Sequence, residues 1–64
     1  MTKIINKDDK DIIYYLEIID NKNYIYHKDW KDKKERYEQG TFIDDYTLNE
    51  YWEIVEENKY DTNK

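Results

Sequence analysis

Carboxylates are the side chains through which this chain could act, and they are concentrated in one stretch. Between Glu38 and Asn58 stand seven acids (Glu38, Asp44, Asp45, Glu50, Glu53, Glu56 and Glu57) and no Lys, Arg or His. Phe42, Tyr46, Tyr51 and Trp52 lie among them. Residues 1–37 carry nine Lys or Arg against eight Asp or Glu, so the charge breaks near Glu38. Carboxylates can move protons in pairs, hold hard cations, or present a negative field to a cationic partner.

The first two kinds of chemistry find little support. The pairs Asp44-Asp45 and Glu56-Glu57 exist, but the chain has no Cys or Ser, one His and one Gly. Nucleophilic triads in their usual form and phosphate-cradling glycine loops are therefore excluded. A chain of 64 residues also leaves little room for a water-excluding pocket, so no enzymatic activity is expected. Asp44, Asp45 and Glu50 offer hard oxygens for calcium or magnesium, yet no D-x-D-x-D-G loop occurs, and turn and cap chemistry accounts for them. The lone His27 and the absence of Cys exclude a zinc site of the usual type, and no cofactor is expected.

The negative field has a stronger claim. A solvated helix face would account for acids in general, but such faces usually mix signs. Glu50 and Glu53 fall near the start of an expected helix, where its dipole favours them; Glu56 and Glu57 fall near its end, where it does not. Stability alone explains the first pair and leaves the second unexplained, so a functional and a merely solvated face both stay open. Carboxylates one helical turn apart are about 5–6 Å apart, close to the spacing of phosphates along one strand. A Lys/Arg groove built for DNA would accept such a row, with steered encounter and salt-sensitive binding. The expected partner-binding set is Asp44, Asp45, Glu50, Tyr51, Trp52, Glu53, Glu56 and Glu57, with an exposed ring as anchor.

Two other groups read more blandly. His27, in Tyr24-Ile25-Tyr26-His27-Lys28, fits a half-exposed packing residue. Lys28, Lys31, Lys33, Lys34 and Arg36 form a basic run with Trp30 and Tyr37, but Asp29, Asp32 and Glu35 alternate through it and cancel most of its field. Net charge −5 argues against direct nucleic-acid or anionic-membrane binding.

The elements that must position these residues follow from local pattern. Sixty-four residues make one domain, marginal in size, with no disulfide to staple it. Eleven aromatics (eight Tyr, two Trp, one Phe) favour dense aromatic packing and permit self-association. Residues 1–10 read as a polar lead-in, with room for a short strand at Lys3–Asn6. Asp11–Ile19 is rich in Ile and Tyr on both faces, a central strand or one with an interface face. Asp20-Asn21-Lys22-Asn23 turns it into a second strand at Tyr24–Lys28. Asp29, as an N-cap, opens a short helix over Trp30–Gln39 ending at Gly40, with a second hairpin at Gln39-Gly40 as the alternative. Thr41–Asp45 fits a short strand.

Thr47-Leu48-Asn49-Glu50 has the form of a capping box, with Tyr46 and Tyr51 at the flanking staple positions. Leu48, Tyr51, Trp52 and Val55 follow at helical spacing, so a C-terminal helix is expected to about Asn58, with 59–64 frayed. The fold class is α+β: a β-hairpin or small sheet packed on a C-terminal helix, with a second short helix. The domain spans 11–58, and its core is expected to include Ile12, Tyr14, Leu16, Ile18, Ile25, Leu48, Trp52 and Val55. Trp52 is claimed by core and interface alike. No apolar run approaches the ~20 residues of a membrane span, and no signal-peptide pattern opens the chain, so a cytoplasmic protein is expected.

Ile12–Glu17, Asp20–Asn23, Tyr24-Ile25-Tyr26-His27-Lys28 and Thr47-Leu48-Asn49-Glu50-Tyr51-Trp52-Glu53 together give the chain a resemblance. It resembles the short phage-encoded uracil-DNA glycosylase inhibitors, which are DNA mimics, over residues 11–57, with an insertion of about a dozen residues at Asp29–Phe42. The resemblance implies an α+β homodimer that offers helix acids and an aromatic plug to the DNA groove of a host enzyme. By position Trp52 would be the plug and Glu53 its acidic neighbour. Other small phage inhibitors, anti-CRISPR proteins among them, share this composition, so a Cas nuclease or another anti-defence target stands beside the glycosylase. The alternative is a non-enzymatic structural or regulatory module that dimerises through its sheet.

Overall fold

The computed structural model describes residues 2–57 of the 64-residue chain. Seven elements follow one another: β1 (Thr2–Asn6), β2 (Ile13–Ile19), β3 (Lys22–His27), α1 (Lys33–Gln39), β4 (Thr41–Ile43), α2 (Asp45–Tyr51) and β5 (Trp52–Glu57). The five strands form one antiparallel sheet in the order β4-β3-β2-β1-β5, so the protein is an α+β domain.

β2 and β3 form because Ile, Leu and Tyr suit a pleated surface buried on both sides. The turn between them is tighter than the four residues expected from composition. Asp20 and Asn21 alone make it, at φ 54° and 62°, with Ile19 opposite Lys22. Two successive left-handed residues match the twist of a two-residue hairpin, and Asp and Asn tolerate that backbone best after Gly.

The register gives the sheet two distinct faces. Ile4, Tyr14, Leu16, Ile25 and His27 share one; Lys3, Ile5, Tyr15, Glu17, Tyr24 and Tyr26 share the other. α1 packs on the second face. There the Tyr24 hydroxyl donates to the Arg36 carbonyl at 2.9 Å, the Arg36 guanidinium lies 5.2 Å from the Tyr26 ring centre, and the Tyr37 hydroxyl donates to Glu17 at 2.6 Å.

α2 lies over the first face. β4 and β5 occupy opposite edges, so the connection must cross four strand spacings, about 19 Å. Its start is tied above β3, where the Asn23 amide donates to Asp45 at 2.8 Å; near its end the Lys7 ammonium donates to the Asn49 carbonyl at 2.6 Å.

α1 is the expected short helix rather than a hairpin, but it begins at Lys33, with Asp32 in the N-cap position, not at Trp30 behind Asp29. The residues before it are held in a turn instead: the Asp29 amide donates to His27 Nδ1 and the Trp30 amide to the His27 carbonyl. Trp30 joins an aromatic cluster on the first face, 5.6 Å from His27 and 6.1 Å from Tyr14. Gly40 ends α1 without left-handed backbone (φ −72°). A side chain there would meet the Arg36 and Ile25 carbonyls and the Tyr24 ring, each at 2.7 Å, so close approach is what requires glycine.

The C-terminal half departs most from expectation. The helix occupies Asp45–Tyr51 and stops; Trp52–Glu57, expected to continue it, is a strand. The cap is Asp44, which accepts from the Thr47 amide at 2.8 Å, three residues ahead of the box expected at Thr47. Trp52-Glu53-Ile54-Val55 fits either period, and the open edge of β1 decides between them. The Lys3–Asn6 strand is present as part of β1, whose Ile4 is fully buried, with Tyr14 opposite on one side and Ile54 on the other.

The core is correspondingly shifted. Ile4, Tyr24, Ile25 and Tyr26 are buried. Of the eight expected core residues only Ile25 belongs to that set. Tyr14, Leu16, Leu48 and Trp52 are half-buried, while Ile12, Ile18 and Val55 are exposed. Two helices of about two turns each cover only part of a five-stranded sheet, so burial concentrates beneath them. Frayed residues were expected at 59–64, which lie outside the described residues.

Candidate functional site

The acids do not form one helical row. Asp44 and Asp45 sit at the start of α2, above β3, and Glu50 in its exposed last turn. Glu53 and Glu56 project from β5, on the face that carries α1. A β-bulge sets their relation: Ile4 lies opposite Ile54 and Lys3 opposite Glu56, which leaves Val55 as the extra residue. Glu53 and Glu56 thus stand opposite Ile5 and Lys3, two β1 residues apart, about 6.8 Å. That spacing remains close to the distance between phosphates along one strand. Glu57 holds the register position opposite Thr2.

Glu50, in the helix on one side of the sheet, and Glu53 and Glu56, on the other face of β5, are therefore separated by the sheet rather than aligned in one row. Asp44 and Asp45 do not join the acids near β5, because α2 sets them about 10 Å away along its axis. They also have local work. Hydrogen bonds from Thr47, its hydroxyl and then its backbone N–H, hold the Asp44 carboxyl below the usual aspartate range. Asp45 accepts from Asn23.

The chain's other half partly answers the acids. Lys10 lies 3.8 Å from Glu53, both largely exposed, and Lys3 sits across the strand from Glu56. Sequence separation hid these cations from the charge pattern; the only signal was the apolar Ile4-Ile5 pair that allowed a strand there. Exposed pairs of this kind contribute roughly 0–1 kcal/mol and leave the carboxylates open to solvent and to a stronger partner. Among the expected site acids whose side chains are described, only Glu53 has a cation, Lys10, within ion-pair distance.

Of the expected aromatic contacts, Tyr51 is half exposed, and Tyr46 of the same helix is 70% exposed. Trp52 is half-buried, its ring meeting the Tyr14 ring edge-on at 5.0 Å. It sits where the α2 chain turns into β5, with part of its ring against Tyr14 and part open, so it contributes to packing while staying partly accessible. His27 packs edge-on against Tyr14 at 5.3 Å, the packing role its sequence context favours. In the basic run, Lys28 pairs with Asp29 at 2.9 Å, which draws the Asp29 carboxyl down and the Lys28 ammonium up.

Among the described residues no group of three or more His, Cys, Asp or Glu side chains converges to hold a metal ion. No described helix is long and apolar enough to cross a membrane. No family model, curated protein or solved structure matches the chain.

Proposed function

We propose that the protein is a non-enzymatic inhibitor that inserts its acidic β5 rim into the basic DNA groove of a host enzyme. The observation that carries this reading is the acidic rim itself. Glu53 and Glu56 stand on one face of the edge strand β5, and Glu50 and exposed Tyr51 close the helix on the other side that leads into it. A narrow negative edge fits a cleft lined with Lys and Arg on both walls better than it fits a flat surface, and steering would speed its entry. A uracil-DNA glycosylase is the favoured target, by the resemblance in the hairpin and in residues 47–53; a Cas nuclease or other anti-defence target is the next. Such a target places the protein in the cytoplasm of a bacterial host.

The test is competition against duplex DNA on a bacterial uracil-DNA glycosylase. Inhibition should weaken steeply between about 50 and about 200 mM salt. The double substitution Glu53→Lys, Glu56→Lys should reduce inhibition at least about tenfold while circular dichroism stays unchanged. Inhibition that ignores both salt and charge reversal would sink the reading.

A second reading, a dimerising structural module, has its own observation. Ile18 is 61% exposed at the end of β2, and Tyr46 stands exposed on the α2 that covers the same face. A dimer seen by sedimentation that survives the double reversal, without enzyme inhibition, would favour it.

A further inference from the structure

The β5 edge offers more than charge. Among the described residues β5 pairs with β1 alone, so its other side is an open sheet edge. The Lys7 amide donates to the Tyr51 carbonyl at 2.9 Å, which makes Asn6 and Trp52 a non-hydrogen-bonded pair and Ile5 and Glu53 a hydrogen-bonded one. By alternation, the N–H and C=O of Ile54 point away from β1, into solvent. Ile54 and Val55 are also 48% and 46% exposed, apolar surface in the middle of the same edge.

An open edge is a template for another strand, and two occupants compete for it. A second copy of this chain is disfavoured by its own charges. Two β5 strands paired antiparallel about Ile54 and Val55 would set Glu53 opposite Glu56, and a one-residue shift would set it opposite Glu57. Like charges directly opposite destabilise a strand pair. The same glutamates favour a strand of opposite charge.

We infer that the free edge of β5 takes an added strand from a protein partner, an extended segment with Lys or Arg at alternate positions. Its cations lie on the face of Glu53 and Glu56, and the residues between them are apolar, on the face of Ile54. The inference rests on the acidic rim as the docking surface and adds that the partner's main chain joins the sheet. Acids that bar self-pairing thereby select the partner.

The probe is a synthetic peptide of alternating Lys and Val, titrated at low salt into the full 15N-labelled chain. Amide shifts should concentrate in Trp52–Glu57, with slowed hydrogen exchange at Ile54. The same peptide, N-methylated at alternate residues on the bonding edge, keeps its charge but cannot join a sheet. It should bind at least about tenfold more weakly. Ile54→Pro, which removes an outward N–H and is tolerated on an edge strand, should produce the same loss in a folded chain. Equal binding of the two peptides, or shifts spread away from β5, would overturn strand addition and leave enzyme inhibition by the rim untouched. Binding of neither peptide would also overturn it, while loss of enzyme inhibition is read separately from the Glu53 and Glu56 reversals.

Discussion

Ile54 lies directly opposite Ile4 across the β1–β5 ladder, and Ile4 is fully buried while Ile54 is about half exposed. The two are not equivalent in energy. Ile4 has neighbours on both sides, from Tyr14 and from Ile54, with α2 crossing the face it shares; Ile54 stands at the edge. Ile4→Ala should cost about 2–5 kcal/mol, the range for truncating a buried Ile. A domain of this size holds only about 3–5 kcal/mol in all. Much of the population should therefore be unfolded, seen as lost ellipticity and a collapsed urea midpoint. Ile54→Ala should cost about 1 kcal/mol, an ordinary surface-edge value. Equal costs would mean that β5 does not pack on β1 as described.

Gly40→Ala should destabilise by about 1–3 kcal/mol, as overpacking does. Two of the three atoms that crowd the added methyl are backbone carbonyls, of Arg36 and Ile25, and cannot rotate aside. The usual gain from Gly→Ala, about 0.4–1 kcal/mol through the unfolded chain, is smaller than the clash. A thermal midpoint that rises instead of falling would contradict the close α1–β3 approach.

Asp44 caps α2 as a carboxylate, and its folded-state pKa is lowered by Thr47. A lowered value means that the cap's contribution is present above the ordinary aspartate range and is lost as pH falls through the folded-state value. Asp44→Ala should therefore be less stable than the parent near neutral pH, and the deficit should close below about pH 4. Urea titrations at a series of pH values would show it; a deficit independent of pH would assign the effect to something other than the cap.

The Tyr37 hydroxyl donates to Glu17 at 2.6 Å, and that bond is the main cause of its raised pKa. The sign is opposite to that of Asp44. The bond contributes below the ordinary tyrosine value of about 10 and is lost as pH rises through the higher folded-state value. In an ultraviolet pH titration, Tyr37→Phe should remove one late-ionising phenol. It should also loosen α1 against β2, since Tyr37 is its hydrogen-bonded link to that strand. Loss of an early-ionising phenol instead would contradict the bond.

Local chemistry was enough to read the β2–β3 hairpin, the short α1 ending at Gly40, the β4 segment and a helix that begins just before Leu48. The hairpin and the helix starts rest on interactions within a few residues, left-handed Asp20-Asn21 and an acid or Thr at a helix start; Gly40 was legible as a helix end, but the close approach to Ile25 and Tyr24 that requires it is long-range. The α+β class followed from them.

The sequence by itself also determined that acids dominate the second half and that no disulfide staples the chain, which leaves aromatic packing or self-association to hold it. It could not determine where the acids stand. Trp52–Glu57 satisfies both a helical and a strand period, and choosing between them takes a partner strand some fifty residues away. Only the tertiary structure supplies β1 as that partner. The resulting strand splits the expected carboxylate row between two faces and brings Lys3 and Lys10 beside Glu56 and Glu53. Pairing across the chain is a long-range gain that no local window contains, which is why the composition of the rim was legible and its geometry was not.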